Sequence, residues 1–216
     1  MIDIKIDDND ILKLLNLYKQ ENSELKSQNE ALRNEIADLK RQLAKNPPNN
    51  EQSAVKQTDY DKINLSNQKM NEAGDLFHKK NYESAIKLYN ESIELNPNNI
   101  FAYNNRGRSY RALNQYELAI QDFNKAIQLN PNDALAYFNR GCAYDNLGKY
   151  EQAVQDYSKA VQLNPNSPGA YINRGNIYKN WGKYGSAIQD YDKAIQINPN
   201  YSSAYKNREE CITAMR

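Results

Sequence analysis

The side chains of this chain that could do chemistry are few, and those that recur are suited to hydrogen bonding rather than catalysis. His78 is the only histidine, so a nucleophile–histidine–carboxylate arrangement would have to be built around it. Cys142 and Cys211 lie far apart and match no metal-ligand spacing. There is no G-x-S-x-G turn and no phosphate-cradling glycine loop. These features point away from an enzyme and from any cofactor or metal. Asparagine, in contrast, recurs in step at Asn71, Asn105, Asn139, Asn173 and Asn207. A carboxamide offers one acceptor and two donors, so it can bond both the N–H and the C=O of an extended peptide. Arg106, Arg140 and Arg174 recur at the same interval, and so do Asp122, Asp156 and Asp190. Opposite charges repeating together imply an Arg–Asp pair between helices, structural in role. Arg208 follows the array and Arg106 opens it, so the pair could lie within a unit or between neighbours. A half-buried pair of this kind specifies register more than it stabilises.

The elements that carry these groups follow from one period. Pro97, Pro131, Pro165 and Pro199 stand at a constant interval (131 − 97 = 34), each after an Asn that follows Leu or Ile. A fixed period of this length means a stacked array rather than a closed globule. The units are 66–99, 100–133, 134–167 and 168–201, with a terminal helix over 202–216. Within 134–167 the sequence predicts a first helix from Ala134 to Leu147, broken at Gly148, where Asn114 and Gly182 are the equivalents. A second helix runs from Glu151 to Leu163 and stops at Asn164, which Pro165 pushes out of the helical region.

Small and large residues alternate within this frame. Gly107, Gly141 and Gly175 recur on first helices, with Ala73 in the first unit. Ala85, Ala119, Ala153 and Ala187 recur on second helices, as do Ala126, Ala160 and Ala194, with Ser92 in the first unit. Tyr89, Phe123, Tyr157 and Tyr191 supply matching knobs, and most of the 17 tyrosines are expected to be core.

The run AYFNRGCAYDNLGKYEQAVQDYSKAVQLNPN resembles a tetratricopeptide repeat, and the resemblance covers 66–201 with a fifth first helix after it. It implies an all-α fold: antiparallel helix pairs stacked into a right-handed α-solenoid, with a concave groove lined by first helices. The first unit departs most, carrying NEAGDLF where the others have NRG, and Glu209 replaces the small glycine in the terminal helix, as suits a cap. On this resemblance the groove face carries the five asparagines, which resemble the asparagine ladders of some peptide-binding members. Met70, Phe101, Leu135, Phe138 and Ile172 would form apolar pockets around them. Arg108, Arg111, Lys179 and Lys206 would add positive charge, partly offset by Asp145, with His78 solvated at the first unit. Some members clamp the acidic EEVD-type tail of cytosolic chaperones. Of the matching positions Met70, Gly74, Asn105, Leu135 and Asn139, only Asn105 fits that clamp. Shifted by one unit, they become Asn104, Arg108, Asn139, Gly169 and Asn173, and again only the central Asn fits.

Upstream of the array the period changes to seven. One seam reads Ile11, Tyr18, Leu25, Leu32, Leu39; the other reads Leu15, Asn22, Asn29, Ile36, Leu43. That heptad pattern predicts a long coiled-coil helix over 10–45. Asn at two a positions favours two strands in register. The e positions carry Lys19, Lys26, Arg33 and Lys40, and the g positions Glu21, Gln28, Glu35 and Gln42, which favours parallel pairing. Pro47 and Pro48 then open a flexible linker and lead-in over 46–65, and 1–9 is a short tail.

Bulk composition agrees with a polar scaffold. Hydrophobic residues make up 39% and net charge is +1, so no global field draws the chain to nucleic acid or an anionic membrane. No apolar run approaches the ~18 residues of a bilayer span, and the acidic start MIDIKIDDND lacks the features of a signal peptide. The expectation is a cytoplasmic, parallel homodimeric adaptor that grips an extended protein segment. An adaptor for chaperone C-terminal tails and a structural subunit of a larger assembly are the rival readings.

Overall fold

A hairpin of two short helices exposes most of its apolar stripe, so each must be covered by the next. The computed structural model describes residues 50–216 continuously and, before them, Glu30, Asn34, Ala37, Asp38 and Arg41, each helical. The chain divides into two compact units, Met1–Asp59 and Tyr60–Arg216. The helices are α1 (Asn50–His78), which begins before that boundary, and then, in the second unit, α2 (Tyr82–Leu95), α3 (Ile100–Ala112), α4 (Tyr116–Leu129), α5 (Ala134–Asn146), α6 (Tyr150–Leu163), α7 (Pro168–Asn180), α8 (Tyr184–Ile197) and α9 (Ser202–Ala214). No strand occurs among the described residues. Ala73 of α1 shares a buried cluster with Ala85 and Tyr89 of α2, each helix from α2 on packs on the next, and first helices also meet directly, α3 on α5 and α7 on α9. This is the all-α helical solenoid expected.

The periodic prolines act through a compact local device. Asn96, Asn130, Asn164 and Asn198 close the second helices in extended backbone, because the following proline excludes αR. Each of these asparagines then accepts a bond from the N–H two residues on, as Asn164 Oδ1 does from Asn166 at 3.1 Å. The next helix is capped in turn: Asn99 accepts from the Ala102 N–H, and Asp133 from those of Leu135 and Ala136. Inside each hairpin the turn needs positive φ, supplied by Lys80, Asn114, Gly148 and Gly182 at 60°, 60°, 72° and 69°.

The core lies between the first-helix and second-helix layers. Tyr89, Phe123, Tyr157 and Tyr191 are its fully buried rings. A Cβ on Gly107 would meet the Phe123 ring at 2.7 Å, on Gly141 the Tyr157 ring at 2.8 Å, and on Gly175 the Tyr191 ring at 2.9 Å. The small-against-large expectation therefore holds ring by ring. Tyr103 is buried too, and Tyr110, Tyr137, Tyr144, Tyr171 and Tyr178 pack against the core from its edge. Tyr103, Tyr137 and Tyr171, with Tyr110, Tyr144 and Tyr178, flank the recurring arginines at 5.4–5.9 Å from ring centroid to guanidinium, and Tyr150 is exposed.

The Arg–Asp pair lies within a unit and also reaches the one before it. Arg140 gives Nε and Nη2 to the two oxygens of Asp156, both at 2.7 Å, and Nη1 to Asn124 of the preceding unit at 2.6 Å. Arg106 does the same with Asp122 and Asn90, and Arg174 with Asp190 and Ser158. Arg208, on α9, bonds Asp192 of the unit before it. The first unit, which lacks the pair, is closed by a buried polar knot of its own at the start of α3. Ser66 Oγ donates to the Ser92 carbonyl at 2.8 Å, and Asn99 Nδ2 donates to Ser66 Oγ at 3.1 Å.

One boundary differs from the sequence reading. Residues 46–65 were expected to be linker, yet the backbone is helical from Asn50, so α1 has 29 residues where α3, α5 and α7 have 13. Its Gln, Ser, Lys and Asp content is low in β-branched residues and free of proline and glycine as far as Gly74, so nothing local stops the helix. The tail 1–9 and every seam residue of the expected coil lie outside the described residues.

Candidate functional site

The recurring asparagines sit at the sixth position of each unit, on α1, α3, α5, α7 and α9, and the structure places them in five different environments. Asn71 is exposed and bonds nothing among the described residues. Asn105 is half-buried and accepts from Arg108 Nη1 at 3.0 Å. Asn139 is 3% exposed, and its Nδ2 has no acceptor. Asn173 Nδ2 donates to Tyr157 Oη at 3.4 Å and points at Cys142 Sγ at 3.6 Å. Asn207 Nδ2 donates to Asn176 Oδ1 at 2.9 Å, and its own Oδ1 accepts from Lys179 Nζ at 3.2 Å. A ladder of free carboxamides was expected; the residues instead grade from open at α1 to internally bonded at α9.

The reason is what each one meets: Asn105 meets Arg108 one turn on, whereas Asn173 meets Cys142 and Tyr157, and Asn207 meets Asn176 and Lys179, of the preceding unit. Positions three apart on a helix share a face, so Arg108, Cys142, Asn176 and Glu210 lie beside Asn105, Asn139, Asn173 and Asn207. Sequence reading missed Asn176, Glu210 and Cys142 as members of this face, though the i, i+3 spacing could have found them. Burial pushes the Cys142 thiol up, and Arg111 is close enough for its charge to oppose that rise. Burial likewise raises Asp145, while the Tyr157 hydroxyl, which donates to Asp145 Oδ2 at 3.4 Å, pulls it back. Tyr191 Oη donates to Asn176 at 2.9 Å. Lys179 also bonds Glu210 at 2.8 Å, and that contact holds the Glu210 carboxyl below its ordinary range. Arg108 lies over the Phe77 ring at 4.7 Å. Arg111 is half-buried, with no acceptor for its Nε.

The apolar residues divide as well. Phe101 and Leu135 are 70% and 54% exposed, as an open face requires. Met70 and Phe138 are half-buried, Phe138 tilting against Tyr157 with centroids 5.9 Å apart. Ile172 is not a pocket residue: it is buried with Ala187, Tyr191, Ala194 and Ala204, because α9 covers that part of α7. His78 is exposed at the end of α1, its ring edge-on to Phe77, and Lys206 is exposed on α9. Among the described residues no group of His, Cys, Asp and Glu could hold a metal ion. The face can hydrogen-bond, attract anions and shelter apolar side chains. It shows no nucleophile paired with a base.

Comparison with known proteins agrees with this geometry. Models described as tetratricopeptide repeat match residues 69–99, 88–121, 134–167 and 168–201, and one described as TPR repeat matches 107–148. A serine/threonine-protein phosphatase 5 from Homo sapiens is 51% identical over 39 residues, which is 18% of this chain and only 8% of the phosphatase. A crystal structure of MamA protein superposes with a TM-score of 0.62 at 24% identity, covering 69% of this chain and 87% of that one. The first TPR of Spaghetti, in a structure bound to HSP90 peptide SRMEEVD, superposes with a TM-score of 0.54 at 28% identity, covering 55% of this chain and 94% of that one. With period, hairpin geometry and family models in agreement over 69–201, the chain is a tetratricopeptide-repeat protein.

Proposed function

We propose that the protein is a non-enzymatic interaction scaffold that holds an extended segment of another protein against its first-helix face. The observation that supports this most directly is the set of hydrogen-bonding groups on α3 and α5 that no neighbour satisfies, among exposed Phe101 and Leu135. Burying polar groups unsatisfied is costly, so a face that keeps them is suited to an outside partner. Asn105 and Asn173 would bond its backbone, with Arg108 and Lys179 beside them. A similar fold holds a peptide in the Spaghetti structure. The test is a crosslinked pulldown with the wild-type chain beside an Asn105→Ala/Asn173→Ala variant of unchanged helicity. Partners lost from the variant support the groove; an identical partner set contradicts it.

The second half of the proposal is dimerisation. Residues 10–45 would join two copies as a parallel coiled coil, giving the grooves avidity toward paired or repeated ligands. Glu30, Asn34, Ala37, Asp38 and Arg41 are helical and exposed, and all fall at b, c or f positions, the outer side of the expected coil. Light scattering should give twice the 24.9 kDa chain mass. A Leu25→Asp/Leu32→Asp variant should scatter as the monomer. A monomeric wild type would end this part. No helix of the described residues is long and apolar enough to cross a membrane.

A further inference from the structure

The first and last helices of the array, α1 and α9, present different outer surfaces. In the later units two places on the first helix go beneath the unit before. Ala102, Ala136, Ala170 and Ala204 take one of them, and Ala143, Ile177 and Cys211 the other, all buried. In the first unit those places hold Gln68 and Asp75, both exposed, with exposed Glu72 between them. A polar outer face of this kind keeps the end of a solenoid in water. α9 does the opposite. One side of it packs on α8 and α7 and buries Ala204 and Cys211. Among the described residues nothing covers the other side, and it keeps apolar residues that earlier units shelter. Tyr205 is 48% exposed where Tyr103 is 9%. Met215 is exposed where Leu113, Leu147 and Trp181 are half-buried. Interleaved with them on the helix, Lys206, Glu209, Glu210, Thr213 and Ala214 line an open hollow of about 620 Å³.

We propose that this side of α9 is a self-association surface, taken by α9 of a second copy lying antiparallel to it across a two-fold axis. Charge selects the occupant. The side carries Lys206 together with Glu209 and Glu210, and Lys179 of α7 is bound to Glu210, so the two signs balance. Lys206 and Glu209 are exposed and form no ion pair among the described residues. An antiparallel pair centred between Arg208 and Glu209 sets Tyr205 opposite the second copy's Ile212. It also brings Lys206 within a turn of the second copy's Glu209 and Glu210, twice over by symmetry. Head-to-tail stacking has no such match, because it lays Tyr205 and Met215 on Gln68, Glu72 and Asp75. A further hairpin of the same kind is unsuited as well. Glu209 stands where Gly107, Gly141 and Gly175 leave room for a ring 2.7–2.9 Å from the place a Cβ would take. One helix side is small beside the about 1,200–2,000 Å² that a stable complex buries. The pairing is therefore weak: it comes apart at the dilution of light scattering and forms when chains are concentrated. It depends neither on the groove nor on the 10–45 coil.

The test is sedimentation equilibrium of the full-length Leu25→Asp/Leu32→Asp chain, which takes the coil out of play, over a concentration series. The mass should start at 24.9 kDa and climb toward twice that value. In this background Lys206→Glu sets like charges together and should weaken association about tenfold or more. Glu209→Lys should do the same. Mixing the two variants should restore association, because each then meets its opposite on the other. Both residues are exposed, so helicity and urea unfolding should be unchanged. A mass that stays at 24.9 kDa at every concentration would overturn the pairing and leave this side of α9 to a helix of some other protein. A mass that climbs equally in every variant would put the association elsewhere on the molecule and overturn it as well.

Discussion

The Arg–Asp rungs and the asparagines of the first-helix face recur with the same period, yet only the rungs repeat as geometry. Arg106–Asp122, Arg140–Asp156 and Arg174–Asp190 give the same pair of bonds at 2.6–2.8 Å in three units. Asn71, Asn105, Asn139, Asn173 and Asn207 occupy five different settings. The difference lies in the partners. Asp recurs opposite Arg, whereas the groups the asparagines meet change: Arg108 for Asn105, Tyr157 and Cys142 for Asn173, Asn176 and Lys179 for Asn207. Repetition reproduces a structure only where both members of an interaction repeat. The repeated pairs build the solenoid, and the unrepeated positions differentiate its face.

This contrast can be broken or sharpened by measurement. The largest effect is expected at a rung. Arg140→Ala leaves Asp156, 7% exposed at its side chain, without its counter-charge and should cost about 3–5 kcal/mol in urea unfolding. Arg208→Ala removes an exposed pair with Asp192 and should cost less than about 1 kcal/mol. Equal losses would mean that the rungs are not structural. Next in size is close approach. Gly141→Ala forces a methyl to within 2.8 Å of the Tyr157 ring and should cost about 1–3 kcal/mol. Gly74→Ala meets nothing within 4 Å and should stabilise α1 by up to about 1 kcal/mol.

A pH series compares the repeated rings. Burial pushes the Tyr89 phenol up to about 12, with the Arg108 charge opposing it. Its folded value therefore lies above the unfolded one near 10. The associated stability is intact below pH 10 and is lost as pH rises toward 12, at about 1.4 kcal/mol per pH unit. Tyr89→Phe, which copies Phe123 of the next unit, should flatten the alkaline loss by that amount; an unchanged slope would contradict the burial. The smallest stability effect belongs to the face. Asn173→Ala removes two long contacts, at 3.4 and 3.6 Å, and should change unfolding by less than about 1 kcal/mol while weakening peptide binding.

Much of the fold was legible because its causes are local. Proline after Asn ends α6 where the sequence predicts, and Gly148 and Gly182 take the positive φ that the turn needs. The register of Gly141 under Tyr157 was also readable, since both residues repeat. The site was legible only in outline. Period alone could not say that Arg140 bonds Asp156 of its own unit and Asn124 of the one before, because both lie sixteen residues away in opposite directions. Nor could it tell that α9 buries Ile172 while Phe101, with no such cover, stays 70% exposed. Burial of a groove residue depends on its neighbour in space, and the repeat changes that neighbour from unit to unit.

The most direct measurement of the central claim is backbone amide mapping by NMR of the full-length chain titrated with a peptide from a partner captured in the pulldown. The account predicts shifts along one face of α3, α5 and α7, centred on Asn105, Asn139 and Asn173, with α4, α6 and α8 little affected. Shifts confined to the second helices would contradict it.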